Sequence, residues 1–142
     1  MIKGQAPLRG TDKYGSGAYL APRNGKVHNG IDIAFFPGTG IFSLRQGRVS
    51  KIGFPHNIHD PVKGHLRYVQ ITDIRGFEAR YFYLNPEVVK GEIVGTVSIL
   101  GMTQTLQGIY PGITDHIHFE VKKDGQFVEP VKYLEESKRW MR

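Results

Sequence analysis

The chain has 142 residues, 39% of them hydrophobic, and its 19 Lys and Arg outnumber its 13 Asp and Glu for a net charge of +6. Cysteine is absent, which excludes a disulfide framework and a thiolate metal site, and no apolar run reaches the roughly 20 residues needed to cross a bilayer, so no membrane partner is expected. The charge is scattered apart from Lys138-Arg139 and Arg142, with no helix-turn-helix, aromatic RNA-binding signature or long basic helix, so no nucleic acid is expected either.

The length suits one domain, 1–142, around one core. Glycine, 18 residues, is about twice its usual share, which fits many turns between short strands. Residues 1–27 are rich in glycine, proline and polar groups and read as irregular. Ile31 to Ala34 is a short strand stopped by Pro37-Gly38-Thr39-Gly40. Ile41 to Leu44 and Gly47 to Ile52 read as a hairpin turning near Arg45 to Gly47. Phe54 to Gly64 is a loop. Leu66 to Thr72 and Glu78 to Leu84 are strands joined by residues 73–77. Lys90-Gly91-Glu92 turns into a strand from Ile93 to Leu100, and Met102 to Thr114 is a second loop. Ile117 to Lys122 is a strand, and Asp124-Gly125 after it is a hairpin signal. Pro130 to Lys138 is the one helix, opening on a proline. Short strands with frequent turns predict an all-β antiparallel sandwich or partly open barrel.

His116-Ile117-His118 carries the chemistry. In an extended strand, residues two apart share a face, so both imidazoles project into one pocket. His28-Asn29-Gly30-Ile31-Asp32 adds a third imidazole and a carboxylate across a glycine. A lone His-x-His is more often structural. The combination beside apolar strands points instead to a metal. Two histidines and a carboxylate suit zinc, Zn2+, and three protein ligands leave a fourth position for water. The same donors also suit ferrous iron, but the His-x-Asp spacing of jelly-roll oxygenases is absent.

In ordered series these motifs resemble the lysostaphin-type (LytM-like) zinc endopeptidases, which cut peptide cross-bridges of peptidoglycan. His28 to Asp32 matches the family's H-x-x-x-D. His116-Ile117-His118-Phe119-Glu120-Val121 matches its H-x-H with Phe-Glu-Val. Gly47-Arg48-Val49, Val89 to Gly95 and Gly125 to Pro130 resemble its later segments, so the likeness covers about 27–134. The resemblance implies that fold, with His28, Asp32 and His118 as zinc ligands and His116 as a non-ligating histidine that handles the water or the oxyanion. Tyr83, in Tyr81-Phe82-Tyr83-Leu84, stands where the family has a further catalytic histidine. The implied partner is peptidoglycan peptide in the anionic wall, cut outside the cytoplasm by a monomer. Met1 to Gln5 has no apolar signal core, so delivery by lysis, by a secretion or injection machine, or trimming of the chain is expected.

Tyrosine at that position is also found in the leukocyte cell-derived chemotaxin family, zinc-binding signalling proteins without peptidase activity. Tyr14 to Tyr19 and Tyr110-Pro111-Gly112-Ile113 resemble that branch too, although its cysteines are missing here. Two functions therefore compete: a zinc endopeptidase in which Tyr83 donates a hydrogen bond to the oxyanion, and an inert zinc-binding recognition module. Tyr83 is expected to share the strand face of Tyr81 and point at the pocket. Of the loop histidines His56, His59 and His65, one that lined the cleft would stand in for the missing imidazole. Tyr14, Tyr19 and Tyr110 are candidate groove residues.

Overall fold

The computed structural model describes residues 8–23 and 26–140. Two small antiparallel ladders open the described chain. β1 (Thr11–Asp12) pairs with β2 (Gly15–Ser16), and β3 (Pro22–Arg23) with β4 (Lys26–Val27). The composition of residues 1–27 predicts irregular structure here, and the ladders depart from it. Ladders of two residues are too short to leave an alternating pattern, so their turns dominate the composition.

The remaining strands are β5 (Ile31–Ala34), β6 (Gly40–Phe42), β7 (Gly47–Gly53), β8 (Tyr68–Asp73), β9 (Glu78–Phe82), β10 (Leu84–Pro86), β11 (Ile93–Val94), β12 (Ile99–Thr103), β13 (His116–Lys123) and β14 (Gln126–Val128), followed by helix α1 (Pro130–Trp140). They form two open antiparallel sheets. The larger runs β11-β7-β8-β9-β13-β14, and the smaller β10-β12-β6. β13 is the hub. One edge pairs with β9, and the other is shared between β5 at His116 to Phe119 and β14 at Val121 to Lys123.

The expected hairpin of residues 41–52 does not form. β6 belongs to the small sheet and β7 to the large one. Between them the Leu44 amide donates to the buried Tyr81 hydroxyl at 3.0 Å, so the chain crosses the core edge rather than folding back on itself. The expected strand Ile93 to Leu100 is also broken. Ser98 N donates to Gly95 O at 3.0 Å, and Gly95 N to Ser98 Oγ at 3.1 Å, closing a turn between β11 and β12. Asp124 and Gly125 both have positive φ, as the hairpin signal required.

Both sheets feed one core. Ile41, Leu84 and Leu100 from the small sheet pack in one cluster with Val49, Val69, Tyr81 and Phe119 from the large one. Burying a large side chain of this kind contributes about 1.5–3 kcal/mol. Glu129 caps α1 by accepting from Val131 N and Lys132 N, and Tyr133 packs its ring on Phe119.

Strand alternation then places the site. On β13, Ile117, Phe119 and Val121 enter the core, so His116, His118 and Glu120 face the opposite side. On β5, Ile31 and Ile33 are core and Asp32 is opposite. The register sets His118 directly across from Asp32 on one side and from Phe82 on the other.

Candidate metal centre and cleft

His28, Asp32 and His118 converge. His28 Nε2 lies 2.9 Å from His118 Nδ1, and Asp32 Oδ1 lies 3.1 Å from each of these nitrogens. His28, just before β5, is turned inward because its Nδ1–H donates to Ala18 O at 2.9 Å, which leaves Nε2 as a lone pair aimed at the cluster. His118 Nε2–H donates to Glu120 Oε1 at 2.8 Å, so its Nδ1 is the inward atom. A carboxylate on the outer nitrogen of an imidazole is the usual orienting partner of a metal-binding histidine.

Without a metal, one proton must hold this arrangement together. Burial alone would lower the His118 pKa, but hydrogen bonds to Asp32 and Glu120 raise it to about 9. That proton sits among acceptors. Burial would raise Asp32, yet the contacts from His118 and His28 hold its carboxyl far below the usual range. Replace the proton by a cation and two lone pairs and a carboxylate oxygen already face it. The donor set therefore fits a borderline metal such as zinc, with two nitrogens and one oxygen.

His116 stands beside the cluster but outside it. Its Nδ1–H donates to Thr114 O at 2.7 Å, and Nε2 points inward, 3.5 Å from Asp32 Oδ2. Burial lowers its pKa, which favours a neutral ring with a lone pair on Nε2.

Tyr83 points into the same cleft, its ring centroid 5.7 Å from that of His116. Contrary to expectation, it does not share the face of Tyr81, which lies in the core. Alternation would have sent Tyr83 into the core with Ala79 and Tyr81. Instead its φ of 74° ends β9 and swings the side chain out. This left-handed conformation costs a non-glycine residue of order 1–2 kcal/mol. It is held by Tyr83 N donating to Arg67 O at 2.7 Å and Gln104 N donating to Tyr83 O at 2.9 Å. Burial, and then the negative charge of Asp32, push the phenol above its ordinary value.

These groups open onto a cavity of about 410 Å³ walled by Tyr14, Phe82, Leu106, Tyr110 and Ile113. His56 also lines it, whereas His59 and His65 are exposed elsewhere on the loop. Tyr14 and Tyr110 meet edge to face at 5.3 Å, and Tyr19 packs on the core instead. Sequence reasoning missed Glu120, Arg9 and Asp12 as parts of the site. Glu120 was legible as the next same-face residue after His118. Arg9 reaches Asp32 from 23 positions away and left no local signal.

Fold and donor set together are those of a metallopeptidase-like domain. Residues 26–130 match the model of peptidase family M23, and the chain belongs to that family. Among individual relatives, it is 31% identical over 132 residues to leukocyte cell-derived chemotaxin-2 of Bos taurus, covering 93% of this chain and 82% of that protein. Among solved structures, the antimicrobial peptidase lysostaphin from Staphylococcus simulans superposes with a TM-score of 0.67 at 22% identity, over 94% of this chain and 55% of that one. A zinc-containing peptidase from Vibrio cholerae does so with a TM-score of 0.55 at 25% identity, over 87% of this chain and 34% of that one.

Proposed function

We propose that the protein is a zinc-dependent endopeptidase acting on peptides of bacterial peptidoglycan, outside the cytoplasm. The observation that carries this reading is the convergence of His28 Nε2, Asp32 Oδ1 and His118 Nδ1 at the floor of an open cleft, with His116 beside them and not among them. His28, Asp32 and His118 would hold the zinc, which would supply a Lewis acid and lower the pKa of a bound water. His116 Nε2 takes the proton that water gives up as it attacks a peptide carbonyl, and passes it to the leaving amine. The Tyr83 hydroxyl, kept protonated, donates a hydrogen bond to the developing oxyanion. The aromatic walls hold the peptide and exclude water from the reacting bond.

A second reading, a zinc-binding recognition module without peptidase activity, is favoured by two observations. Tyrosine stands at position 83, and the likeness to chemotaxin-2 extends over most of both chains. Digestion of purified cell walls separates the two. The zinc-loaded wild type is expected to clear wall suspensions and release new amino termini, with both effects abolished by a chelator. His118→Ala should lose most of its metal, while His116→Ala should retain nearly one zinc per chain and lose hydrolysis. A wild type that holds zinc and leaves every wall preparation intact rejects the enzyme in favour of the module.

A further inference from the structure

We propose that Arg9, which lies outside the segment matched by the family model, is a positioning residue that makes Asp32 present a single oxygen to the metal cluster. The proposal rests on the metal-site reading above.

A carboxylate can offer a cation one oxygen or both. In Asp32 the two oxygens are in different surroundings. Oδ1 faces the inward nitrogens of His28 and His118, 3.1 Å from each. Oδ2 accepts a hydrogen bond from Arg9 Nη1 at 2.9 Å, and both side chains are buried. A charge-assisted bond of this kind, out of water, is among the stronger ones a protein makes. For the carboxylate to turn and offer both oxygens, Oδ2 must swing away from Arg9 Nη1, and weakening a buried charge-assisted bond opposes that turn.

Arg9 is itself fixed. Its Nε and Nη2 fork onto Asp12, at 3.2 Å to Oδ2 and 2.7 Å to Oδ1. Asp12 in turn accepts from Tyr14 N at 2.8 Å and Thr114 N at 3.0 Å, so the fork is tied to the loop that orients His116. The backbone grips as well: Arg9 N donates to Asp32 O, and Asp32 N donates to Gly17 O, both at 2.8 Å. Gly17 allows this close approach, because a Cβ there would sit 2.8 Å from Arg9 Cβ and 2.9 Å from Asp32 Cβ. A buried arginine between two aspartates would satisfy a purely structural role too. What exceeds that role is the splitting of its donors, with one N–H reserved for the oxygen turned away from the cluster.

The test compares wild type, Arg9→Met and Arg9→Lys. Lysine keeps the charge but loses the planar fork. Zinc affinity is read by competition with a chromophoric chelator, and coordination by the visible spectrum of the Co2+-loaded protein. Loss of an orienting partner typically weakens metal binding by about 10- to 100-fold, so Arg9→Met should fall in that range, with Arg9→Lys between it and wild type. The Co2+ bands should weaken in both variants as Asp32 turns to offer a second oxygen and the coordination number rises. X-ray absorption of the zinc-loaded wild type should give one oxygen from Asp32. That measurement carries the test alone where a variant does not fold. Variants with wild-type affinity and spectrum, or a wild type with Asp32 bound through both oxygens, overturn the proposal and leave the metal site standing. A wild type that takes up neither ion overturns the metal-site reading, and the proposal with it.

Discussion

Tyr83 decides between the two functional readings, and the decision turns on one proton. Burial and the nearby Asp32 charge push its phenol above the ordinary value near 10, so near neutral pH it is a hydrogen-bond donor rather than a general base. Tyr83→Phe removes only the hydroxyl. Loss of one oxyanion donor typically lowers turnover by about 100- to 1000-fold, so wall hydrolysis should drop by that factor with zinc content unchanged. Tyr83→His places an imidazole where the peptidases are expected to have one, and under the inert-module reading it is the variant in which hydrolysis appears. An active wild type indifferent to Tyr83→Phe removes the phenol from the mechanism and directs attention to His56, the loop histidine that lines the cavity. The inward aim of His116 and His118 was legible from their spacing of two. The orientation of Tyr83 was not. Its direction comes from a left-handed backbone pinned by Arg67 and Gln104, contacts too remote in sequence to leave a pattern.

Among the elements, β13 shows what alternation reveals and what it conceals. Eight residues with apolar side chains at 117, 119 and 121 announce a strand and its buried face. The partners on each edge are set by long-range register, which no local pattern encodes. The same limit explains the hairpin expected at 41–52: two runs of β-forming residues flanking a turn look alike whether they pair together or join different sheets. Between β4 and β5, Gly30 is the point where sequence and packing meet most tightly. A Cβ there would collide with Phe119 O and lie 2.9 Å from His118 Cε1. The glycine in His28-Asn29-Gly30-Ile31-Asp32 is therefore required by the closeness of β13. Gly30→Ala should destabilise the fold by about 1–3 kcal/mol, the range for overpacking a filled site, and should weaken metal binding by displacing the His118 ring. The denaturation midpoint, measured with and without zinc, checks it. A midpoint unchanged from wild type would mean that the strands separate freely at this point.

On the scale of the whole molecule, the site joins chain segments that are far apart in sequence. His28 precedes β5, Asp32 lies within it, and His118 and Glu120 belong to β13. In the metal-free protein the His118 proton bridges them, and its pKa of about 9 lies above the value near 6.5 of an unfolded chain. The folded state thus binds this proton more tightly than the unfolded state does. Its contribution to stability is fully present below pH 6.5 and is lost as pH rises through about 9. Zinc competes for the same nitrogen and must displace the proton, so its affinity rises over that interval. Because a ligand selective for the folded state adds stability according to its concentration relative to Kd, the two trends diverge. The melting temperature of chelator-treated protein should fall between pH 6.5 and 9, and the increase produced by adding zinc should grow across the same range. Thermal unfolding at fixed zinc concentration and fixed ionic strength, repeated in His118→Ala, provides the measurement. The variant should show neither trend. A zinc-induced increase of constant size from pH 6.5 to 9 would mean that the metal is not taking the place of a proton on His118, and that the ligand set must be sought elsewhere in the cleft.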